Sequence, residues 1–183
     1  MKSLRKLAWC SGAALALGLS LPSTAHAADS TKGPFYLQAG VLGYGFRGGG
    51  ALWYGGAYHL DVEFGYHFSG RHDGFVLAGR QSFYLSPGGL GASDLRIGYD
   101  IPILLKDGKY ELTIAPYGLV GVAYALRGGL GTQFHVGGGA ELRFFPMQSN
   151  GFYVFARPIE VTFFAGGLSF WNFSPSAGVG FAF

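Results

Sequence analysis

An all-β fold, an antiparallel up-and-down transmembrane β-barrel of eight strands, is what three features of this chain predict. Large apolar residues recur at every second position in segment after segment. The positions between them are polar, ionisable or glycine, and the connections are short and rich in glycine or polar residues. Strand side chains alternate faces with a period of two, so each such segment is a strand with one apolar and one polar face.

The clearest segment is residues 58–68, YHLDVEFGYHF. Tyr58, Leu60, Val62, Phe64, Tyr66 and Phe68 fall on one face, and His59, Asp61, Glu63, Gly65 and His67 on the other. Eleven residues is about the length that crosses a bilayer as a tilted strand. Period-two reading gives eight such segments: 34–46, 56–68, 74–85, 92–104, 109–126, 132–145, 152–165 and 171–183. Short connections favour consecutive hairpins, because parallel strands need crossovers of a dozen or more residues.

The fourth and fifth segments test this reading internally. Leu95, Ile97, Tyr99, Ile101 and Ile103 are odd-numbered, whereas Tyr110, Leu112, Ile114, Val120, Val122 and Tyr124 are even. A two-residue Asp107-Gly108 loop pairs Ile103 with Leu112 and Ile101 with Ile114, which keeps both apolar rows on one face. The rows hold too many rings for one sheet's core to bury. Turning them to lipid removes the difficulty, and lipid does not tolerate open sheet edges, so the sheet must close. Apolar-out, polar-in alternation over an even number of strands is the signature of a bacterial outer-membrane barrel.

Residues 1–27 are set apart as a cleaved signal peptide, leaving 28–183 as one barrel domain. Lys2, Arg5 and Lys6 precede an apolar run ended by Pro22, and Ala25-His26-Ala27 has the small-x-small form of a processing site. Cys10, the only cysteine, lies in that leader, so the mature chain has no disulfide or thiolate chemistry. Three of the 13 Lys and Arg residues also lie there, and the remaining 10 balance 10 Asp and Glu. A neutral mature chain offers no basic surface for nucleic acid. Charged residues make up 13% of the chain, against about 25% in soluble domains.

The polar face supplies the candidate functional residues. His59, Asp61, Glu63, His67, Arg80, Asp94, Arg96, Asp100, Glu111, His135, Glu141, Arg143 and Glu160 are expected to form a polar network in the lumen, with Arg80, Arg96 and Arg143 as ion-pair hubs. His59, Asp61, Glu63 and His67 sit about 6.6 Å apart along one strand, too far to hold one ion together, so no metal, cofactor or catalytic residue is assigned. An eight-strand barrel has room for its own side chains and at most one small ligand. Three positions fit this pattern badly. Pro116 and Pro158 fall inside strands, where a bulge or shifted pairing is expected. Arg157 falls on the outward parity, a costly place unless a bulge at Arg157-Pro158 turns it inward or its head group snorkels to the interface, and Gln81 shares the problem in milder form.

The last segment carries Phe173, Pro175, Ala177, Val179, Phe181 and Phe183 outward. Gly178, Phe181 and Phe183 resemble the C-terminal signal of outer-membrane barrels that the barrel-assembly machinery reads. The mature chain resembles the small eight-stranded outer-membrane proteins of the OmpX and OmpA barrel type over nearly its whole length. That resemblance implies an exported, monomeric outer-membrane protein in contact with lipid and lipopolysaccharide, with periplasmic termini. The outer loops are then 47–55, 86–91, 127–131 and 166–171, too short for an adhesin.

The role expected is non-enzymatic, structural or envelope-interacting. The alternatives are a narrow pore or a barrel for a small hydrophobic solute or lipid, and a lipid A-modifying enzyme. For the enzyme, His67-Phe68-Ser69 resembles the H-x-S pair of lipid A deacylases of the PagL type, but Gly70 stands where that family has Asn. Gly43-Tyr44-Gly45-Phe46-Arg47-Gly48 matches GxGxxG without a following helix to receive a phosphate.

Overall fold

The structure is a computed structural model and describes residues 32–49, 52–85, 89–105, 109–125, 131–147, 150–165 and 170–183. The leader and the Asp107-Gly108 loop lie outside them. The strands are β1 (Phe35–Gly49), β2 (Leu52–His67), β3 (Gly74–Leu85), β4 (Leu90–Leu105), β5 (Tyr110–Ala125), β6 (Gln133–Phe145), β7 (Phe152–Ala165), β8 (Phe170–Phe173) and β9 (Ser176–Ala182). Each pairs antiparallel with its chain neighbour, and β8 and β9 are two halves of one barrel strand broken at Ser174-Pro175. That strand bonds β7 on one side and β1 on the other, so the sheet closes into a barrel of eight staves.

Alternation places the apolar rows outside. On β2, Tyr58, Leu60, Val62, Phe64 and Tyr66 are exposed, while Ala57, His59, Asp61, Glu63, Gly65 and His67 are buried. The hairpin register is the one that the parity switch requires, with Ile103 opposite Leu112 and Ile101 opposite Ile114. Where large rings enter the lumen, the neighbouring strand supplies glycine: a Cβ on Gly65 would collide with the Tyr36 ring. Gly178 is equally constrained, since a Cβ there would strike the Ala39 carbonyl where β9 meets β1.

Besides a register shift at Arg47/Gly48 near the end of β1, two bulges midway along the wall reset the alternation. On β1, Val41 and Leu42 are both exposed opposite Leu60, so the inward set passes from Tyr36, Gln38 and Gly40 to Gly43 and Gly45. On β7, Arg157 and Pro158 together face Glu141, and the inward set passes from Tyr153, Phe155 and Arg157 to Glu160, Thr162 and Phe164. An extra residue in one strand is how a bulge re-aims side chains, and proline is tolerated there because no ladder donor is needed. The bulge expected at Pro158 is present and turns Arg157 inward: its side chain lies in the lumen, 1% exposed.

Pro116 behaves differently. The β5–β6 register runs through Pro116–Ala140 without a shift, and the β4–β5 register is the same on both sides of a gap between Gly98–Tyr117 and Ile101–Ile114. The bulge expected there is absent, because a local gap in one ladder absorbs the missing donor. Arg47, assigned by sequence to an outer loop, belongs to β1, and the connection to β2 shrinks to residues 50–51. Gln81 is satisfied on the wall itself, donating to Tyr124 Oη at 2.9 Å and accepting from Ser93 Oγ at 2.6 Å.

Since Val62 points outward near the middle of β2, Val62→Arg should cost about 2–4 kcal/mol of folding free energy in lipid vesicles, measured by denaturant titration.

Candidate functional site

Inside the barrel the side chains form three layers. At the end where β1 begins and β9 finishes (the terminus-bearing end of the barrel domain), Tyr36, Val76, Ala78, Phe145, Tyr153, Phe155 and Ala182 pack together. At the opposite end Ala57, Tyr84, Ala92, Ala123 and Phe164 do the same, with Leu90 and Phe170 against them. Between and alongside the two runs an ionic belt: all thirteen residues of the sequence-derived set are buried, with His67, Asp100 and Glu111 beside the first cluster and His59 and His135 beside the second.

The belt centres on two carboxylates. Glu141 accepts from Arg143 Nε at 2.5 Å, Arg157 Nε at 2.6 Å and Arg96 at 3.2 Å. Glu63 accepts from Arg96 at 2.6 Å, Arg157 at 3.1 Å and Tyr36 Oη at 2.6 Å. Gln38 bridges them, donating to Glu63 at 3.1 Å and to Glu141 at 3.0 Å, and its own oxygen accepts from Tyr153 at 2.7 Å. Arg157 also holds Asp61 at 2.8 Å. Toward the opposite end, Arg80 grips Glu160 with two nitrogens at 2.5 and 3.0 Å and Asp94 at 2.9 Å, and Tyr117 Oη donates to Glu160 at 2.6 Å. His135 contacts the other oxygen of Asp94. Planar guanidinium forks suit such shared carboxylates, and aromatic faces cover them: Arg96 lies 3.9 Å from the Tyr117 ring centre and Arg143 4.6 Å from that of Tyr36.

His59, Asp61, Glu63 and His67 do not converge on one point. His59 sits 3.9 Å from Asp61, whereas His67 turns to Asp100 at 2.7 Å. Arg80, Arg96 and Arg143 each hold two carboxylates, but Arg157 holds three.

Sequence reasoning passed over three further lumen residues. Lys32, ahead of β1, enters the barrel, donates to Glu111 at 2.8 Å and lies 3.5 Å from the Phe145 ring centre; burial lowers its pKa against the pull of Glu111. His72, in the β2–β3 turn, folds back against His67, Phe145 and Tyr36. Burial first, then the charges of His67, Arg143 and Lys32, push its pKa well below the usual imidazole range. Gln38 is the third; its parity is inward, and a search for ionisable residues does not select an amide.

The turn that aims His72 inward carries Gly70 and Gly74 at φ 75° and 76°, a region that suits glycine. Ser69 braces it by donating to the Asp73 carbonyl at 2.7 Å and accepting from the Arg71 N–H at 3.2 Å. Ser69 is exposed and His67 is sealed in the lumen, so the H-x-S pair is not assembled as nucleophile and base. Gly178 packs at the β9–β1 seam, while Phe181 and Phe183 are exposed on the outer wall.

A closed antiparallel barrel of this kind is found in Neisserial surface protein A. Its crystal structure superposes with a TM-score of 0.55 at 17% identity, over 81% of this chain and 97% of that one. The fold is that of an eight-stranded outer-membrane barrel. No protein-family model matches the chain, and no curated protein matches it in sequence.

Arg157→Met would leave Asp61 without its guanidinium and remove one contact each from Glu63 and Glu141. Loss of one partner of a buried ion pair costs about 3–5 kcal/mol, so the variant should unfold in markedly less denaturant. Arg71→Met, in the exposed turn, should change stability by under about 0.5 kcal/mol in the same titration.

Proposed function

We propose that this chain is a non-enzymatic integral outer-membrane barrel with a closed lumen and a structural or envelope-interaction role. It is exported by a signal peptide at 1–27, sits as a monomer among outer-membrane lipid and lipopolysaccharide, and keeps both ends of the barrel domain in the periplasm. Gly178, Phe181 and Phe183 serve insertion by the barrel-assembly machinery.

The observation that carries this reading is the filling of the lumen. Arg96, Arg143, Arg157, Tyr36, Tyr153 and Phe145 are each under 2% exposed, and an apolar cluster lies at either end of the ionic belt. A conducting path would need both clusters opened and shared ion pairs broken, and breaking such pairs is costly. The separation of Ser69 from His67 speaks against the deacylase alternative.

One feature favours a second reading, a barrel that binds a hydrophobic solute or lipid. The Val41-Leu42 bulge, Pro175 and the Pro158 bulge lie side by side and leave a recess of about 540 Å³ on the wall, lined also by Tyr44, Tyr58, Leu60 and Leu85. Apolar concavity with a few polar groups at its floor, here His59 and Arg157, is the usual form of a ligand site.

Refolded protein showing a heat-shifted gel mobility should give no discrete conductance in planar bilayers. Openings that change in Arg80→Met or Glu63→Gln would make the lumen a path and replace this reading. A lipid that stays bound through detergent exchange, seen by native mass spectrometry and lost in Leu42→Arg, would favour the second one.

A further inference from the structure

We propose that His67, His72 and Asp100 form a binding site for one divalent transition-metal ion of the zinc class, at the terminus-bearing end of the lumen. Each offers one donor atom, and the three atoms lie within 4.8 Å of one another. Zinc takes nitrogen and oxygen donors at about 2.0–2.2 Å, which sets them roughly 3.4 Å apart, so the His67–Asp100 pair at 2.7 Å has to open slightly and His72 to adjust around the ion. His72 can follow, because it stands on a turn, not on a strand.

The donors are already oriented as ligands. His67 Nδ1 faces the Pro34 carbonyl at 3.1 Å, and the same carbonyl accepts the His67 backbone N–H at 2.8 Å. An Nδ1–H donated there leaves a lone pair on Nε2, the arrangement in which a backbone carbonyl sets the tautomer of a metal-binding imidazole. That Nε2 points at Asp100 Oδ2 from 2.7 Å. At this separation the two atoms share a proton, which a metal would replace as the pair opens.

Two further atoms lack partners. His72 Nδ1 and Asp100 Oδ1 are buried without a hydrogen bond, although the two residues are only 3% and 1% exposed. Buried polar atoms in native proteins are rarely left so, and a site for a bound ion is one recognised reason. Arg143 bonds Asp100 Oδ2 and lies 3.4 Å from His72 Nε2, which opposes a second cation. The wider charge balance offsets this. Seven buried carboxylates face five buried Lys and Arg side chains, with Arg47 half-buried beyond them, so the described lumen stays on the acidic side.

The donor set selects the metal class. Two imidazoles with one carboxylate suit zinc and its neighbours, whereas calcium and magnesium prefer all-oxygen cages. Three protein ligands leave a fourth position for water.

The test uses chelator-stripped, refolded full barrel in detergent, titrated with Zn2+ by calorimetry and with Co2+ by visible absorption. One equivalent should bind, with the intense bands of tetrahedral cobalt. His72→Ala and Asp100→Asn should each weaken binding about tenfold or more, and His59→Gln, outside the cluster, should leave it unchanged. Heat-shifted mobility certifies folding of every variant. Absence of binding by folded wild-type protein would overturn the proposal, as would binding that survives His72→Ala or is lost in His59→Gln.

Discussion

Every ionisable group that the polar faces carry into this barrel must find a counter-charge there, and Arg157 is the group on which that requirement bears hardest. Without a bulge, β7 has one parity, and no parity serves both its halves. Keeping Glu160, Thr162 and Phe164 inside would turn Arg157 to lipid with Tyr153 and Phe155, and keeping Arg157 inside would expel Glu160. Two residues facing Glu141 resolve the conflict, bringing Arg157 within hydrogen-bonding distance of Asp61, Glu63 and Glu141. Pro158 is apt at that place, since an unpaired bulge position has no use for an N–H. The irregularity spreads sideways: the Ser174-Pro175 break and the Val41-Leu42 bulge lie on the next two staves, bridged by the Ser174 N–H to the Glu160 carbonyl and the Tyr44 N–H to the Pro175 carbonyl.

The layered interior follows from the same requirement. Charge pairs strengthen as water is excluded, but exclusion also makes any unpaired member costly. Apolar clusters at both ends of the belt keep water out, and glycines opposite the inward tyrosines make room for the rings that form one of them. Tyr36 belongs to both systems, packing in the terminal cluster while its hydroxyl donates to Glu63.

Much of this was legible in the sequence because period two is insensitive to detail. Strand number, the Ile103–Leu112 register and the inward placement of thirteen polar residues all follow from parity. Legibility ended where parity did. Parity alone puts Arg157 outside, and only the bulge expected at Pro158 returns it to the lumen. His72 and Lys32 lie outside any strand, so no alternation assigns them a face. Pro116 erred the other way, since the lost donor was expected to shift a register that a local gap leaves intact. The trimming of the outer loops came from glycine-rich ends such as Arg47–Gly49, which read as turns but pair as strand.

The belt divides its carboxylates between fixed and adjustable partners. Four arginines, Arg80, Arg96, Arg143 and Arg157, divide six carboxylates among them, and Lys32 takes the seventh, Glu111. Three of the six also have a histidine near: Asp94 and Asp100 contact His135 and His67 directly, and Asp61 has His59 at 3.9 Å. Guanidinium charge is permanent, whereas what a histidine contributes depends on the proton or ion that it holds. The central belt around Glu63 and Glu141 is therefore fixed, and the adjustable contacts lie to either side of it. At the terminus-bearing side the adjustable contact has a second imidazole beside it, supplied by a turn that its glycines fold inward.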